Sequence, residues 1–200
     1  MPERVLPPLV LEIVGTTYLL LPLVGGAGVH GLCMRYGWLG FLKRPIDGDR
    51  SWRGRPIFGH SKTFRGPLCV AAGAGVVWWL QESVLHRVEA LSALELVDYA
   101  SLPGWWFGAA AGAAAELAEL PNSFVKRRLG IAPGRTASGP LALVFYLWDQ
   151  LDLLLGWWLA LACVLPVTPA RVAASALVVC AFHPLLTLLG YLLGMRPTAR

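Results

Sequence analysis

The chain alternates between five long apolar segments and shorter polar ones. About 20 helical residues cross the hydrocarbon core of a bilayer, and the apolar segments are of that order. Backbone groups in lipid must be satisfied within their own segment, so the pattern predicts α-helices. The predicted spans cover approximately Leu6–Met34, Gly66–Leu80 or slightly beyond, Leu96–Leu120 with an interruption near Pro103–Gly104, Leu141–Leu165 and Val172–Met195.

Composition supports the same class. Of the 200 residues, 56% are hydrophobic and only 14% are charged, and the mean hydropathy is +0.58. A soluble domain of this size could not bury so much apolar surface. We therefore expect an all-α integral membrane protein with about five transmembrane helices and a single domain over residues 1–200. Between the second and third spans, Gln81–Glu95 resembles a short amphipathic helix.

The distribution of cations predicts the orientation. Eight of the 17 Lys and Arg residues lie in the first polar loop, four in the second and two in the C-terminal tail, whereas Arg4, Arg87 and Arg171 fall on the opposite side. Cytoplasmic loops carry an excess of Lys and Arg. The count predicts an outer N-terminus, an inner C-terminus and two basic cytoplasmic loops. The fourteen inner cations are Arg35, Lys43, Arg44, Arg50, Arg53, Arg55, Lys62, Arg65, Lys126, Arg127, Arg128, Arg135, Arg196 and Arg200.

Several classes of function find no support. The four cysteines lie in apolar segments without a CxxC pair, and the four histidines are scattered, so neither zinc nor a disulfide framework is expected. The net charge of +5 comes without a basic recognition helix or a repeated aromatic platform, which argues against a nucleic-acid partner. The sequence leaves the oligomeric state open.

The first basic loop, Arg44–Gly66, has the residue types that a polyphosphate needs. Six cations stand against only Asp47 and Asp49, and four glycines let the backbone approach a ligand closely. Guanidinium forks and a mobile ammonium group are suited to phosphate oxygens. The alternative is an inner loop whose cations only determine topology and touch anionic lipid.

Carboxylates inside apolar segments give the sharpest prediction. Asp149 and Asp152 are spaced i, i+3 in the fourth span, which places both on one helical face. Each ionised carboxylate costs roughly 2.5–3.5 kcal/mol at such depth, so a functional role is the default. Glu116 and Glu119 repeat the spacing near the inner end of the third span. Together the four acids could hold Mg²⁺, which prefers oxygen ligands. The alternative is that they lie at headgroup depth or pair with arginines for structure.

A second basic segment, Pro121–Arg135, follows the third span and is predicted to be a loop. Its Lys126-Arg127-Arg128 run lies beside the acids and could clamp phosphates. The alternative is a stop-transfer anchor. The glycines at positions 104, 108 and 112 recur every four residues and predict close helix packing.

Three ordered motifs resemble those of the CDP-archaeol synthase family. They are Ile46–Arg50 followed by Arg55–Gly66, then Ser123–Ile131, then Asp149–Asp152. The family consists of five-span membrane cytidylyltransferases related to phosphatidate cytidylyltransferases. The resemblance implies transfer of a cytidylyl group from CTP to a membrane lipid phosphate, with release of pyrophosphate, at the cytoplasmic face of the cell membrane. It leaves open whether the acceptor is phosphatidate or an archaeal-type dialkylglycerol phosphate.

The resemblance also implies roles for individual residues. Mg²⁺ would be held by Asp149, Asp152 and Glu119, and Lys126 would join the two aspartates in catalysis. The nucleotide and its phosphates would be bound by Asp47, Arg50, Gly59, Lys62, Thr63, Arg65, Gly66, Ser123, Arg127 and Arg128.

Three positions depart from the family pattern. Ala118 and Glu119 stand where the family usually has Gly-Asp, and Asn122 replaces a common Lys. The extra methylene of Glu119 would shift a bound ion by about an ångström, which weakens in-line geometry. An altered lipid substrate or a catalytically changed lipid- or nucleotide-binding protein is therefore an alternative. Two others are a transferase acting on a polyprenyl phosphate and an ion-coupled transporter that uses the intramembrane acids.

Overall fold

The computed structural model describes residues 7–84, 87–102 and 104–194 of the chain. Its described part is mostly helical, as predicted, with one two-stranded hairpin that the sequence pattern did not predict. The helices are α1 (Pro8–Arg35), α2 (Arg65–Ser83), α3 (Glu89–Ser92), α4 (Gly104–Leu117), α5 (Glu119–Arg128), α6 (Ala142–Leu161) and α7 (Pro169–Leu192); the strands are β1 (Ser51–Trp52) and β2 (Arg55–Pro56).

Four long helices coincide with predicted spans. Helices α1, α2, α6 and α7 begin and end within four residues of the predicted bounds. Two stretches, Leu9–Arg35 and Pro169–Leu192, are long and apolar enough to cross a membrane. The number of spans and their orientation stay predictions. Several residues used for those predictions lie outside the described part of the chain: Arg4, Leu6, Pro103, Met195, Arg196 and Arg200.

The third predicted span is wrong in its bounds. Helix α4 begins only at Gly104 and ends at Leu117, and the preceding residues form a single 3₁₀ turn, Tyr99–Ser101. The amphipathic helix predicted over Gln81–Glu95 is also shorter: α2 continues to Ser83, and α3 is one turn long. Apolar residues in 96–102 pack against the bundle with only this one turn of helix. Hydropathy alone does not distinguish such a segment from a membrane span.

The second basic segment is a helix in its first half, which corrects the predicted loop. Helix α5 begins immediately after Ala118 and contains the whole Lys126–Arg128 run. Pro121 lies in its first turn, where the missing N–H leaves no intrahelical bond unmade. The break at Ala118 separates Glu116 at the end of α4 from Glu119 at the start of α5.

Trp78 of α2 is the centre of the core. It is fully buried, and its ring lies 5.0 Å from those of Tyr99 and Phe107 and 6.2 Å from that of Trp157, between centroids. Helix α4 packs closely on α2 because Gly112 has no side chain. A Cβ at this position would stand only 2.6 Å from the Ala74 Cβ. This confirms the predicted close packing by the regularly spaced glycines. The N-terminal end of α2 and the C-terminal end of α4 are thereby held side by side.

The first basic loop is closed at its base and organised by Asp47. The Ile46 amide donates to the Lys62 carbonyl at 2.9 Å. The Asp47 carboxylate accepts hydrogen bonds from the amides of Asp49 (3.0 Å), Phe58 (2.8 Å) and Gly59 (2.9 Å). Burial alone would raise the pKa of Asp47, but these three donors outweigh burial and hold the pKa below its usual value.

The hairpin β1–β2 docks on α5 through two arginines. Its turn has positive φ at Arg53 and Gly54, the pattern of a type I′ turn. Arg128 donates to the carbonyls of Trp52, Arg55 and Pro56, and Arg55 donates in return to the Arg128 carbonyl. The Trp52 ring stacks on that of Phe124 with centroids 5.6 Å apart, beneath the Arg128 guanidinium.

We expect Arg128→Ala to release the hairpin from α5. Three carbonyls lose their donor, and the Trp52 and Phe124 rings lose the Arg128 guanidinium, so amide exchange over residues 51–56 should become at least tenfold faster. Hydrogen exchange with mass spectrometry measures this. Arg128→Lys should not restore protection, because an ammonium group lacks the planar fork. Arg135→Ala, which removes an exposed cation from the following segment, is the matched control. Unchanged exchange in Arg128→Ala would contradict the docking role.

We expect Asp47→Asn to loosen the first loop at neutral pH, because an amide offers one acceptor oxygen in place of two. A carboxylate with a lowered pKa stabilises the fold above its ordinary pKa and loses this effect as the pH falls through the lowered value. Exchange of the Phe58 and Gly59 amides, corrected for intrinsic rates, should therefore speed up in the wild type only below about pH 4.

The Asp47→Asn variant should exchange fast at every pH and show no acid-dependent step. Asp49→Asn is the control, since the Asp49 side chain is exposed and asparagine tolerates its positive φ. Equal protection in Asp47→Asn and the wild type would show that the carboxylate does not organise the loop.

Candidate active site

Four acidic side chains from three helices form one group, here called the acid cluster: Glu116, Glu119, Asp149 and Asp152. Glu116 ends α4, Glu119 begins α5, and the two aspartates share a face of α6. The close packing of α4 with α2 and the break at Ala118 bring these helix ends together. Sequence reasoning predicted this grouping from the third and fourth spans.

Helix α5 is joined to α6 through the two aspartates. The Asn122 Nδ2 donates to Asp149 Oδ1 at 2.6 Å and to Asp152 Oδ2 at 2.8 Å. One turn later, Lys126 forms an ion pair with the same Asp149 oxygen. Asn122 and Asp152 are 2% and 4% exposed. Buried carboxylates need such partners, because an unpaired charge in a low-dielectric interior is costly.

Lys62 brings the first basic loop to the acid cluster. Its ammonium group pairs with Glu119 and lies within the electrostatic reach of Glu116, Asp152 and Asp149. Burial lowers the pKa of Lys62 below the usual lysine range, although the surrounding carboxylates favour the charged form. Lys62, which was predicted to bind the nucleotide phosphates, therefore pairs with Glu119, which was predicted to hold the metal ion.

Arg65 and Gly66 lie where the loop enters α2. A Cβ at Gly66 would stand 2.5 Å from Glu116 Oε1, so glycine lets this helix end approach the acid cluster. The Arg65 side chain is 8% exposed, and its Nε and Nη1 atoms are buried without a hydrogen-bond partner. A buried guanidinium with unused donors is ready to bind an anion.

The charge balance of the site favours a divalent cation. The four carboxylates of the acid cluster outnumber the three cations beside them, which are Lys62, Lys126 and Arg65. Within residues 7–84, 87–102 and 104–194, no three His, Cys, Asp or Glu side chains are arranged to hold one ion. Asp149 and Asp152, linked through one amide, are the pair best placed to offer oxygens to a metal.

Other predicted site residues have structural partners instead. Asp47 organises the loop, and Gly59 has φ +95° with no room for a Cβ, which would lie 2.6 Å from Pro133 Cγ.

Arg127 is buried and donates to the Ile131 carbonyl, while Arg128 holds the hairpin. Both arginines are thus bound to backbone carbonyls, and their predicted role in clamping phosphates stays a prediction. The remaining predicted residues are placed as follows: Thr63 pairs with Pro45 at the loop base, Arg50 is exposed on the loop, and Ser123 is buried on α5.

Sequence reasoning missed Asn122 as a member of the site. It noted this residue only as a departure from a family pattern, because the segment was taken as a loop. In a helix, Asn122 precedes Lys126 by four residues and follows Glu119 by three, so all three share one face. That spacing was the available signal.

A groove of about 340 Å³ opens beside Asp149. Its walls include Leu143, Phe145 and Tyr146 from the first turns of α6. The groove thus combines an apolar lining with one carboxylate of the acid cluster. Such a surface is suited to an amphiphile whose polar end reaches the site.

The chain is similar to several known proteins. A CDP-archaeol synthase of Pyrococcus furiosus is 34% identical over 96 residues, which is 48% of this chain and about half, 52%, of that protein. One from Halobacterium salinarum is 34% identical over 162 residues, covering 76% of this chain and 81% of that protein. A solved structure of an intramembrane enzyme for archaeal membrane lipid biosynthesis superposes with a TM-score of 0.58 at 26% identity, covering 86% of this chain and 91% of its own.

The family comparison agrees with these matches. The pattern shared by CarS-like CDP-archaeol synthases extends over residues 12–199 and so includes both the first basic loop and the acid cluster. The chain belongs to the CarS-like CDP-archaeol synthase family.

Proposed function

We propose that the protein transfers a cytidylyl group from CTP to a membrane lipid phosphate, giving a CDP-activated lipid and pyrophosphate. The observation that carries this proposal is the acid cluster with Lys62, Lys126 and Arg65 beside it, in a chain of the CDP-archaeol synthase family. The family name favours an archaeal-type dialkylglycerol phosphate as the acceptor, and phosphatidate is the second candidate.

In the reaction, an oxygen of the lipid phosphate attacks the α-phosphorus of CTP. A new P–O bond forms there, and the bond from the α-phosphorus to the bridging oxygen breaks, so pyrophosphate leaves with the electron pair. The attacking phosphate is already anionic near neutral pH, so a strong general base is not needed. The chain's task is to position the two substrates and to neutralise charge.

Mg²⁺ is the proposed cofactor, and the residues present fit it. Hard carboxylate oxygens are its preferred protein ligands, and the acid cluster has more carboxylates than neighbouring cations. When bound, the ion neutralises charge on the nucleotide and the leaving pyrophosphate. Asp149 and Asp152 would hold it, and Glu119 would join them once Lys62 has moved to a phosphate.

Three cations are placed to bind phosphate. Lys62 and Lys126 already stand against carboxylates at the site, and Arg65 has buried donors without partners. On arrival of the triphosphate, each ammonium group can exchange a carboxylate for a phosphate oxygen with little change in position. Charge-assisted hydrogen bonds of this kind are among the strong ones in proteins.

The proposed location is the cell membrane, with several spans and the site at the cytoplasmic face. The length and apolarity of α1 and α7 support insertion, and the cation distribution supports an inner position of both basic segments. The apolar groove beside Asp149 offers an entry for lipid from the bilayer. The lipid phosphate would then reach the acid cluster at headgroup depth.

The test is a reconstituted assay with radiolabelled CTP, Mg²⁺ and a panel of dialkyl- and diacylglycerol phosphates and polyprenyl phosphates. We expect one class of glycerol phosphate to give CDP-lipid and pyrophosphate in equal amounts. Asp152→Asn should lower kcat/KM by at least 100-fold, because a ligand and its charge are lost. Glu89→Gln, at an exposed position on α3, should be unaffected. A folded wild type that forms CDP-lipid with none of the acceptors would refute the proposal.

Lys62→Gln should raise the KM for CTP by at least tenfold, because the triphosphate loses a charged donor. The chain's exposed Lys43 provides the matched control, Lys43→Gln. Since the pKa of Lys62 is lowered, its charge is lost as the pH rises toward the ordinary lysine value of about 10.4. The wild-type kcat/KM should therefore decrease as the pH rises, and this decrease should begin before the pH reaches that value. The Lys62→Gln profile should lack this decrease. Identical profiles would argue against phosphate binding by Lys62.

A further inference from the structure

Asn122 occupies an unusual position for a neutral side chain. It is the only asparagine in the chain, and it is almost fully buried between two carboxylates. Its amide nitrogen donates to both Asp149 and Asp152, so both donor positions are used. Its Oδ1 atom is buried and has no hydrogen-bond partner. Half of the amide is therefore satisfied and half is not.

The satisfied half stands where a cation would stand. Two carboxylates that face the same point repel each other unless positive charge or donor hydrogens lie between them. In this structure the Asn122 NH₂ group does so, and the Lys126 ammonium group adds a positive charge at Asp149. The unsatisfied oxygen is a hard, neutral donor of the kind that Mg²⁺ and Mn²⁺ accept as a ligand alongside carboxylates.

We propose that Asn122 is a cation ligand that exchanges its two amide atoms. Rotation about the Cβ–Cγ bond by half a turn replaces Nδ2 with Oδ1 and requires no movement of α5 or α6. Without a cation, the NH₂ group bridges Asp149 and Asp152. With a cation between the aspartates, Oδ1 turns toward it and becomes the third protein oxygen. The inference rests on the metal site of the proposed function and deepens it.

This assignment also accounts for the make-up of the site. The described residues contain no group of three acidic, histidine or cysteine ligands for one ion, but two aspartates and one amide supply three oxygens. A neutral third ligand leaves the overall charge of the acid cluster unchanged. Lys126, one turn along α5, is then released from Asp149 toward an anionic ligand.

The experiment is Mn²⁺ binding to the purified full-length protein without nucleotide, followed by the EPR signal of free Mn²⁺. Asn122→Ala should weaken Mn²⁺ affinity by about 10- to 100-fold, the usual effect of losing a group that supports a metal site. Asn122→Asp, which keeps an oxygen at the same place, should bind at least as tightly as the wild type. Gln81→Met removes another buried amide, one that donates to the Tyr18 carbonyl, and should leave the affinity unchanged.

Wild-type Mn²⁺ affinity in Asn122→Ala would overturn the inference. So would an Asn122→Asp variant that binds no tighter than Asn122→Ala, or a wild type that binds no Mn²⁺. If Asn122→Ala does not fold, Asn122→Ser serves in its place, and the rise in melting temperature on adding Mg²⁺ gives a second readout. CDP-lipid synthesis with unchanged Mn²⁺ affinity in Asn122→Ala would refute only the inference. The expected affinities without CDP-lipid from any acceptor would refute only the proposed function.

Discussion

The structure depends on the compensation of buried negative charge where α4, α5 and α6 meet. Asp152 is almost completely buried, and Asp149 lies one turn away on the same face. Carboxylates in such a position are stable only with partners of matching geometry. The Leu153 amide of α6 donates to Asp152 Oδ1, and the side-chain partners come from outside α6. Helix α5 supplies an amide and an ammonium group, and the first basic loop brings the Lys62 charge within electrostatic reach of both aspartates. The requirement of two carboxylates thus determines where a short polar helix and a long loop must lie.

The loop can deliver Lys62 because its own shape is determined elsewhere. Asp47 gathers three backbone amides, and Arg128 ties the hairpin to α5. Both residues belong to motifs that resemble those of a nucleotide-binding family, yet here their hydrogen bonds are with the backbone of the chain. Their effect on a ligand would be indirect: they hold the loop against the helix that carries Lys126. A motif residue can therefore be essential to a site without touching what the site binds.

The helices were largely predictable, and the contacts of the site were not. Apolar length locates α1, α2, α6 and α7 because burial in lipid requires it, and the i, i+3 spacing of Asp149 and Asp152 survives in the structure. Helix α5 was missed because its Lys126–Arg128 run has no apolar face to give a periodic signal. The hydrogen-bond partners of Arg127 and Arg128 were missed for another reason. A guanidinium group binds carbonyls as readily as phosphates, and only the fold decides which is in reach.

On the proposed function, the pairing of charges at the site has a consequence for substrate binding. Each cation there has two possible partners, a carboxylate or a phosphate, and each carboxylate can take an ammonium group or a metal ion. A free divalent ion would displace Lys126 from Asp149 and leave that ammonium group without a counter-charge. A free triphosphate would displace Lys62 from Glu119 and leave the Glu119 carboxylate next to other carboxylates without its cation. A metal–nucleotide complex exchanges all the partners at once, so that every charge remains paired. The site should therefore bind the complex more tightly than the separate affinities for ion and nucleotide would give, because each half relieves the cost created by the other.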